Sequence, residues 1–186
     1  TLSKDVKAKL KSGKNLEAQR LEQRTLFRIL YRDSRYMDFQ VGGCTHEEWE
    51  ASIHTAAVAQ LGEERAAEVM AAWQEAERPL NQDMISLVER LRARGYRTGI
   101  ISNTIPGMEE RLQREVPHLI PLFDVRIGSG DVKLAKPDPA IFHHALREMD
   151  VSAEAATFAD DVKPYAEAAS AIGMHGIHFT GYWQFV

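Results

Sequence analysis

The sequence contains a single cysteine, Cys44, in 186 residues, so no disulfide within the chain can hold the fold together. A reducing, cytoplasmic setting is the expectation that follows, with the thiol a buried or incidental side chain. Long apolar runs are missing too: nowhere do about 18 consecutive apolar residues occur, the length a membrane-spanning helix needs. The opening Thr1-Leu2-Ser3-Lys4-Asp5 has no apolar stretch of the kind a secretory leader carries, so neither a span nor a leader is expected. Excess positive charge is also absent. Against 23 basic residues stand 27 acidic ones, a formal net charge of −4, which leaves no general electrostatic drive toward nucleic acid or an anionic membrane. Any phosphate must be captured locally. Internal repeats and low-complexity tracts are missing as well. What is present is ordinary for a folded globular chain, 44% hydrophobic and 27% charged, and this excludes disordered, collagen-like and disulfide-scaffold classes. The length suits one substantial domain, or a core with a small additional domain.

Strand signals are absent from the first half. From about Lys14 to Ala76 the apolar positions Leu16, Leu21, Phe27, Leu30 and Tyr31 fall at helical spacing among charges. Gly42-Gly43 interrupts the pattern. Thr45 with Glu48 three residues on matches a capping box that opens a helix through Trp49, Ile53 and Val58. Gly62 closes that helix, and a further one with Val69, Met70 and Trp73 on one face runs toward Pro79. Trp49, Trp73 and Phe27 are expected to fill the core of this all-helical block rather than hold a cofactor.

After about residue 80 the pattern changes to helices alternating with short β-rich runs, the signature of repeated βα units on a parallel sheet. Strands are predicted at Tyr96–Ile101, Val125–Gly128, Ala156–Ala159 and His175–Phe179. Helices are predicted at Asn81–Arg94, Gly107–Glu115, Pro139–Met149 and Val162–Ile172. Trp183 is expected to pack on the sheet. The predicted organisation is residues 1–80 as a helical block and residues 81–186 as an α/β core.

Ligands of open parallel α/β sheets bind beyond the carboxyl ends of the strands. Three positions there carry chemistry: Ser102-Asn103-Thr104 after the first predicted strand, Lys136-Pro137-Asp138-Pro139 before a helix, and the adjacent carboxylates Asp160-Asp161. Each alone has a bland reading, as a helix cap for Ser-Asn or Asp-Asp and as a turn for Lys-Pro-Asp-Pro. In this order, on successive βα units, a hydroxyl and an ammonium can bind phosphate oxygens while two mutually repelling carboxylates hold Mg²⁺. The pairs His143-His144 and His175/His178 are expected to be structural or surface residues rather than a metal cluster.

These motifs carry a resemblance. Gly99-Ile100-Ile101-Ser102-Asn103-Thr104, Lys136-Pro137-Asp138-Pro139-Ala140-Ile141-Phe142 and Phe158-Ala159-Asp160-Asp161, the last followed by Glu167-Ala168-Ala169 and Gly173-Met174-His175, resemble the second, third and fourth motifs of haloacid dehalogenase-superfamily (HAD) hydrolases. The likeness is close over about residues 80–180. The helical block resembles, more loosely, the cap of the phosphatase-like branch. The resemblance implies an α/β, Rossmann-like (HAD-like) fold with an all-helical cap, and a Mg²⁺-dependent phosphatase acting on a small phosphorylated metabolite through an aspartyl-phosphate. It implies that Ser102 binds the phosphoryl group, that Lys136 neutralises it and the nucleophile, that Asn103 lies beside the substrate, and that Asp160 and Asp161 hold Mg²⁺.

The first motif of that family, Asp-x-Asp-Gly-Thr-Leu at the end of a first strand, is not in the sequence, where Thr1-Leu2 matches only its tail. The resemblance thus implies a core whose first strand, with its attacking carboxylate, is missing, and a chain without turnover as it stands. Asp5, Asp33 and Asp38 follow no β run and are not candidates for the nucleophile. Two further positions depart from the pattern: Lys133 stands where Gly is usual, and Tyr165 where Asn is usual. Alternatives are a non-catalytic binding or assembly module of the same fold, and a 2-haloacid dehalogenase, which the Asp160-Asp161 pair disfavours. No nucleic-acid or membrane partner is expected, and a homodimer is left open.

Overall fold

The computed structural model describes residue 25 and residues 28–32, 34–74 and 80–185. The expectations placed on Leu16, Leu21, Phe27, Asp5 and Asp33, and on the side chain of Trp73, lie outside what is described. By packing, the chain divides into two units, Thr1–Phe39 with Gly43–Pro79, and Gln40–Gly42 with Leu80–Val186.

The described part of the first unit is helical: α1 (Tyr36–Gln40, whose last residue belongs to the second unit), α2 (His46–Leu61) and α3 (Glu63–Gln74). The capping box forms as predicted. Thr45 Oγ1 accepts from Glu48 N at 3.2 Å, and the Glu48 carboxylate accepts from Thr45 N at 2.9 Å, so two backbone donors at the start of α2 are satisfied reciprocally. Gly62, at φ 76°, ends α2 in a conformation that favours glycine. Trp49 is buried and stacks on Phe39 with ring centroids 4.4 Å apart. With Ile29, Leu30, Ile53, Ala57, Ala66 and Val69 these rings form the core of the unit. Cys44 is half-buried, its Sγ 3.8 Å from Arg35 O. Burial pushes its thiol pKa upward, the wrong direction for a nucleophile.

The second unit alternates as the sequence predicts, with one short unpredicted helix, α6, added after β2: α4 (Gln82–Ala93), β1 (Gly99–Ser102), α5 (Met108–Glu115), β2 (Val125–Gly128), α6 (Ser129–Val132), α7 (Pro139–Met149), β3 (Thr157–Asp160), α8 (Lys163–Ala171) and β4 (His175–His178). Caps set the helix starts. Asn81 accepts from Met84 N at 3.1 Å, and Asp138 accepts from Ala140 N at 2.8 Å with Pro139 in the first turn of α7. All strand pairing is parallel. β1 runs beside β2, with Ser102 opposite Gly128, and β3 runs beside β4, with Asp160 opposite His178. These are two separate two-stranded sheets, so among the described residues β1 and β3 each keep one edge without a strand partner. One apolar cluster lies beneath both sheets. Ile127 and Phe158 meet Ile141, Phe142, Ala145 and Leu146 of α7, with Ala169 and Met174 completing it. At Gly176 a Cβ would come within 2.1 Å of Ala166 O, so β4 lies against α8 only because that residue has no side chain.

Some expectations shift. β1 begins three residues later than predicted, because Thr98 is held by Asp124 and Leu122 outside the ladder. β3 is displaced by one residue, which places Asp160 inside the strand. Trp183 does not pack on the sheet. Its turn, Tyr182–Phe185, is fixed by the Gln184 side chain bonding Thr180 N and His178 O, and this leaves the indole against Gly181 and 68% exposed. Lys133 has φ 59°, the left-handed conformation that glycine adopts without steric cost, which explains why glycine is usual there. No helix among the described residues is long and apolar enough to cross a membrane.

Asp124 ties the end of α4 to the start of β1 and β2. Its Oδ2 accepts from Arg92 Nη1 at 2.7 Å and from Thr98 N at 2.8 Å. Both donors favour the ionised form, Arg92 most, and hold the carboxyl below its usual pKa. The resulting stability is complete above the unfolded carboxylate range near pH ~4 and is lost as pH falls through the lower folded value. Asp124→Asn is therefore expected to cost up to ~1 kcal/mol at neutral pH, the small size reflecting solvent screening of a partly exposed pair. Urea unfolding across a pH series should show the gap between variant and parent closing in acid. A gap that persists unchanged at low pH would contradict this assignment.

Candidate functional site

The carboxyl ends of β1 and β3 are joined by one side chain. Lys136, from the loop before α7, is only 6% exposed. Its Nζ donates to Ile101 O at 2.8 Å and to Asp160 Oδ2 at 2.6 Å. The ammonium also lies 5.4 Å from the centre of the Phe158 ring and 5.1 Å from that of Tyr165, within cation–π range of both. An ammonium has three N–H groups. Two are used, and the third has no acceptor among the described residues.

Asp160 has both oxygens engaged, Oδ2 by Lys136 and Oδ1 by Val162 N at 2.8 Å. Asp161, the next residue, is exposed, and its carbonyl lies 3.2 Å from His178 Nε2. Ser102 ends β1 half-buried, and its hydroxyl has no hydrogen-bond partner among the described residues. It directly follows Ile101, the residue whose carbonyl holds Lys136.

Asn103 faces Lys136 rather than standing apart from it. Its Nδ2 donates to Lys136 O at 2.8 Å, and its Oδ1 accepts from Lys136 N at 2.8 Å, a two-point clamp on the backbone of one residue. That clamp fixes which end of the amide is nitrogen. Nδ2 also reaches Gln40 Oε1 at 2.7 Å and Tyr165 Oη at 3.2 Å. Gln40 is buried, and its carbonyl accepts from Ser129 Oγ at 2.6 Å. Ser129, fully buried, also accepts from Thr104 N at 2.9 Å. Asp131 then holds Gly107 N and Met108 N, and Arg111 binds the Thr104 hydroxyl, so the loop leaving β1 is pinned along its length.

The structure thus brings Lys136, Asn103 and Asp160 into direct contact and sets Ser102 and Asp161 on the flanks. The sequence reading passed over Gln40 and Ser129, and it treated Tyr165 only as a departure. No local signal marks Gln40 or Ser129, because their contacts span 63 and 89 residues of chain. His143, His175 and His178 are exposed. Among the described residues no group of three or more His, Cys, Asp or Glu gathers as a metal site. The adjacent carboxylates remain, and they fit Mg²⁺, which takes one or two carboxylates and fills its other positions with water and phosphate oxygens.

The family model described as haloacid dehalogenase-like hydrolase matches residues 7–173. The chain is 34% identical over 97 residues to sesquiterpene phosphatase astK of Aspergillus oryzae, an overlap covering 52% of this chain and 49% of that protein. It is 30% identical over 87 residues to phosphatase MT3486 of Mycobacterium tuberculosis, covering 47% and 40%. The chain therefore spans less than half the length of these relatives. Among solved structures it resembles HAD family enzyme bt-2542 of Bacteroides thetaiotaomicron in complex with magnesium and inorganic phosphate, with a TM-score of 0.59 at 20% identity over 94% of this chain and 85% of that one. L-2-haloacid dehalogenase RSc1362 matches with a TM-score of 0.59 at 21% identity over 91% and 76%. At these identities the likeness concerns the fold.

Removing the Asn103 amide would leave the Lys136 peptide and the Gln40 carboxamide without their partners. Asn103→Ala is accordingly expected to destabilise the chain by ~2 to 4 kcal/mol, from one or two unsatisfied buried groups at ~1 to 3 kcal/mol each. Chemical denaturation reads this directly. A loss below ~0.5 kcal/mol, the range of an ordinary surface substitution, would mean the clamp does not carry the site.

Proposed function

The chain belongs to the haloacid dehalogenase-like hydrolase family, and on that premise we propose that its site serves Mg²⁺-dependent hydrolysis of a small phosphorylated metabolite. The observation that carries this reading is Lys136, a buried cation whose third N–H has no acceptor among the described residues and whose Nζ bonds the carbonyl of Ile101, the residue before Ser102. An ammonium and a hydroxyl at one strand end are donors of the kind that a phosphoryl group's equatorial oxygens require. Lys136 binds one such oxygen through its third N–H and offsets the charge that builds on the group. Ser102 donates to another. Asn103 acts on the phosphate indirectly, by fixing the Lys136 backbone.

Asp161 and Asp160 are the residues that would hold Mg²⁺, which when bound supplies Lewis-acid neutralisation of the phosphate. Their roles differ. Asp160 already accepts from Lys136 and Val162, whereas Asp161 is the exposed carboxylate of the pair and would be the direct ligand. The attacking carboxylate expected from the resemblance is assigned to no described residue. Asp38 is exposed and pairs with Arg35 at 3.3 Å, and Asp5 and Asp33 lie outside the described residues. The two relatives named as phosphatases support phosphate ester over haloacid as substrate. A requirement for Mg²⁺ separates these readings, because dehalogenases of this family use no metal.

The direct test is a screen of phosphorylated metabolites with and without Mg²⁺, run on this chain and on one extended upstream of Thr1, the form in which turnover is expected. Hydrolysis that needs the cation supports the proposal, and release of halide from 2-haloacids without metal would overturn it. Calorimetry should show Asp161→Asn binding Mg²⁺ much more weakly than the parent, and unchanged affinity would remove Asp161 from the metal site. In an active form, Lys136→Ala is expected to lose about a hundredfold or more in turnover, the ~3 kcal/mol typical of deleting one electrostatic stabiliser. Near-normal turnover in a folded variant would exclude Lys136 from the chemistry.

A further inference from the structure

Lysine is a flexible tether for a charge, with four rotatable carbons and an ammonium that many acceptors satisfy. A site that uses Lys136 must hold the ammonium still without consuming the N–H meant for the ligand. Hydrogen-bond acceptors do the first at the expense of the second. Aromatic faces do not: a ring attracts the cation through its quadrupole and takes no donor.

We propose that Tyr165 is a positioning residue for Lys136, its ring holding the ammonium and its hydroxyl holding the Asn103 amide that clamps the Lys136 peptide. The inference rests on the phosphate-site reading given above. Tyr165 meets both ends of the lysine. Its ring centre lies 5.1 Å from Nζ, and its Oη lies 3.2 Å from Asn103 Nδ2, whose other contacts include Lys136 O at 2.8 Å. The ring is carried on the first turn of α8, where Tyr165 N bonds Val162 O at 2.8 Å, so it does not depend on a loose loop. The Phe158 ring, held edge-on by Phe142 at 5.1 Å, gives the same ammonium a second face at 5.4 Å. The ring takes none of the ammonium's N–H groups, the third included. Tyrosine leaves that N–H to a ligand oxygen.

The proposal is tested on the isotope-labelled chain with Tyr165→Phe and Tyr165→Leu. Two signals are followed by NMR, the Lys136 ε-methylene, which aromatic faces shift upfield, and the Asn103 side-chain amide. Orthophosphate affinity is measured by calorimetry in the presence of Mg²⁺. Tyr165→Phe keeps the ring and should leave the Lys136 signal in place while moving the Asn103 amide. Tyr165→Leu should move both. Losing one desolvated cation–π contact should weaken orthophosphate binding about tenfold in the leucine variant, and less than about threefold where only the hydroxyl is lost. A Lys136 signal and phosphate affinity unchanged in Tyr165→Leu would overturn the proposal, and an Asn103 amide unmoved in Tyr165→Phe would overturn its hydroxyl half. Failure of the parent chain itself to bind orthophosphate would count against the phosphate reading instead. The Lys136 signal would then decide the role of Tyr165 alone.

Discussion

A positive charge almost out of reach of water must be compensated where it lies, and the ion pair of Lys136 with Asp160 meets that demand at 2.6 Å, with side chains 7% and 10% exposed. Removing either partner from such a pair strands the other, at ~3 to 5 kcal/mol. The cost explains why so much of the second unit converges on these two residues. Asp160 is placed by the register of β3 against β4, and Lys136 by the Asn103 clamp. Since β1 and β3 lie in separate two-stranded sheets, the lysine that bonds a carbonyl of β1 and the last carboxylate of β3 is a direct polar link between their carboxyl ends. The apolar cluster beneath draws on both sheets, so the link stands over a shared core rather than over two independent pieces.

A half-buried polar network is favourable only when its members are nearly all satisfied, because the low dielectric that strengthens each bond also raises the cost of an orphan. The network around Asn103 meets this condition except at two points. The third N–H of Lys136 and the Nε2 of buried Gln40 have no acceptor among the described residues. The first belongs to a group suited to an anion, and Ser102 follows Ile101, whose carbonyl that group bonds. The unsatisfied capacity is thus concentrated near Lys136, as it would be in a site built to receive oxygen atoms.

The parts legible in the sequence were those encoded locally. The capping box of Thr45 and Glu48, the helices after residues 80 and 138, and β2 follow from residues within a few positions of one another. Spacing of short β runs also sufficed to put Ser102 and Asp160-Asp161 at strand ends. What was not legible depends on distance along the chain. Gln40 reaches Asn103 across 63 residues and Tyr165 does so across 62, and neither contact leaves a mark in composition or periodicity. Trp183 failed for a different reason. Its hydrophobicity argued for burial, but the backbone turn set by Gln184 decided where the indole points. Lys133 is the converse case, a departure whose meaning emerged only with its left-handed backbone.

The adjacent carboxylates show how the structure changes an argument without discarding its conclusion. From sequence, Asp160 and Asp161 repel one another and invite a divalent cation to neutralise both. In the fold, successive residues at a strand end point to opposite sides, and the two part company: Asp160 turns inward to Lys136, and Asp161 stands exposed. The mutual repulsion is relieved first by the lysine, not by a metal. A cation is therefore no longer required to stabilise the pair, and under the proposed function Asp161 would hold it together with oxygens of a bound phosphate. Metal and phosphate would then favour each other's binding, since each supplies ligands or charge that the other lacks. Lys136, paired with Asp160 at 2.6 Å, would then be the part of the proposed site already in place before either binds.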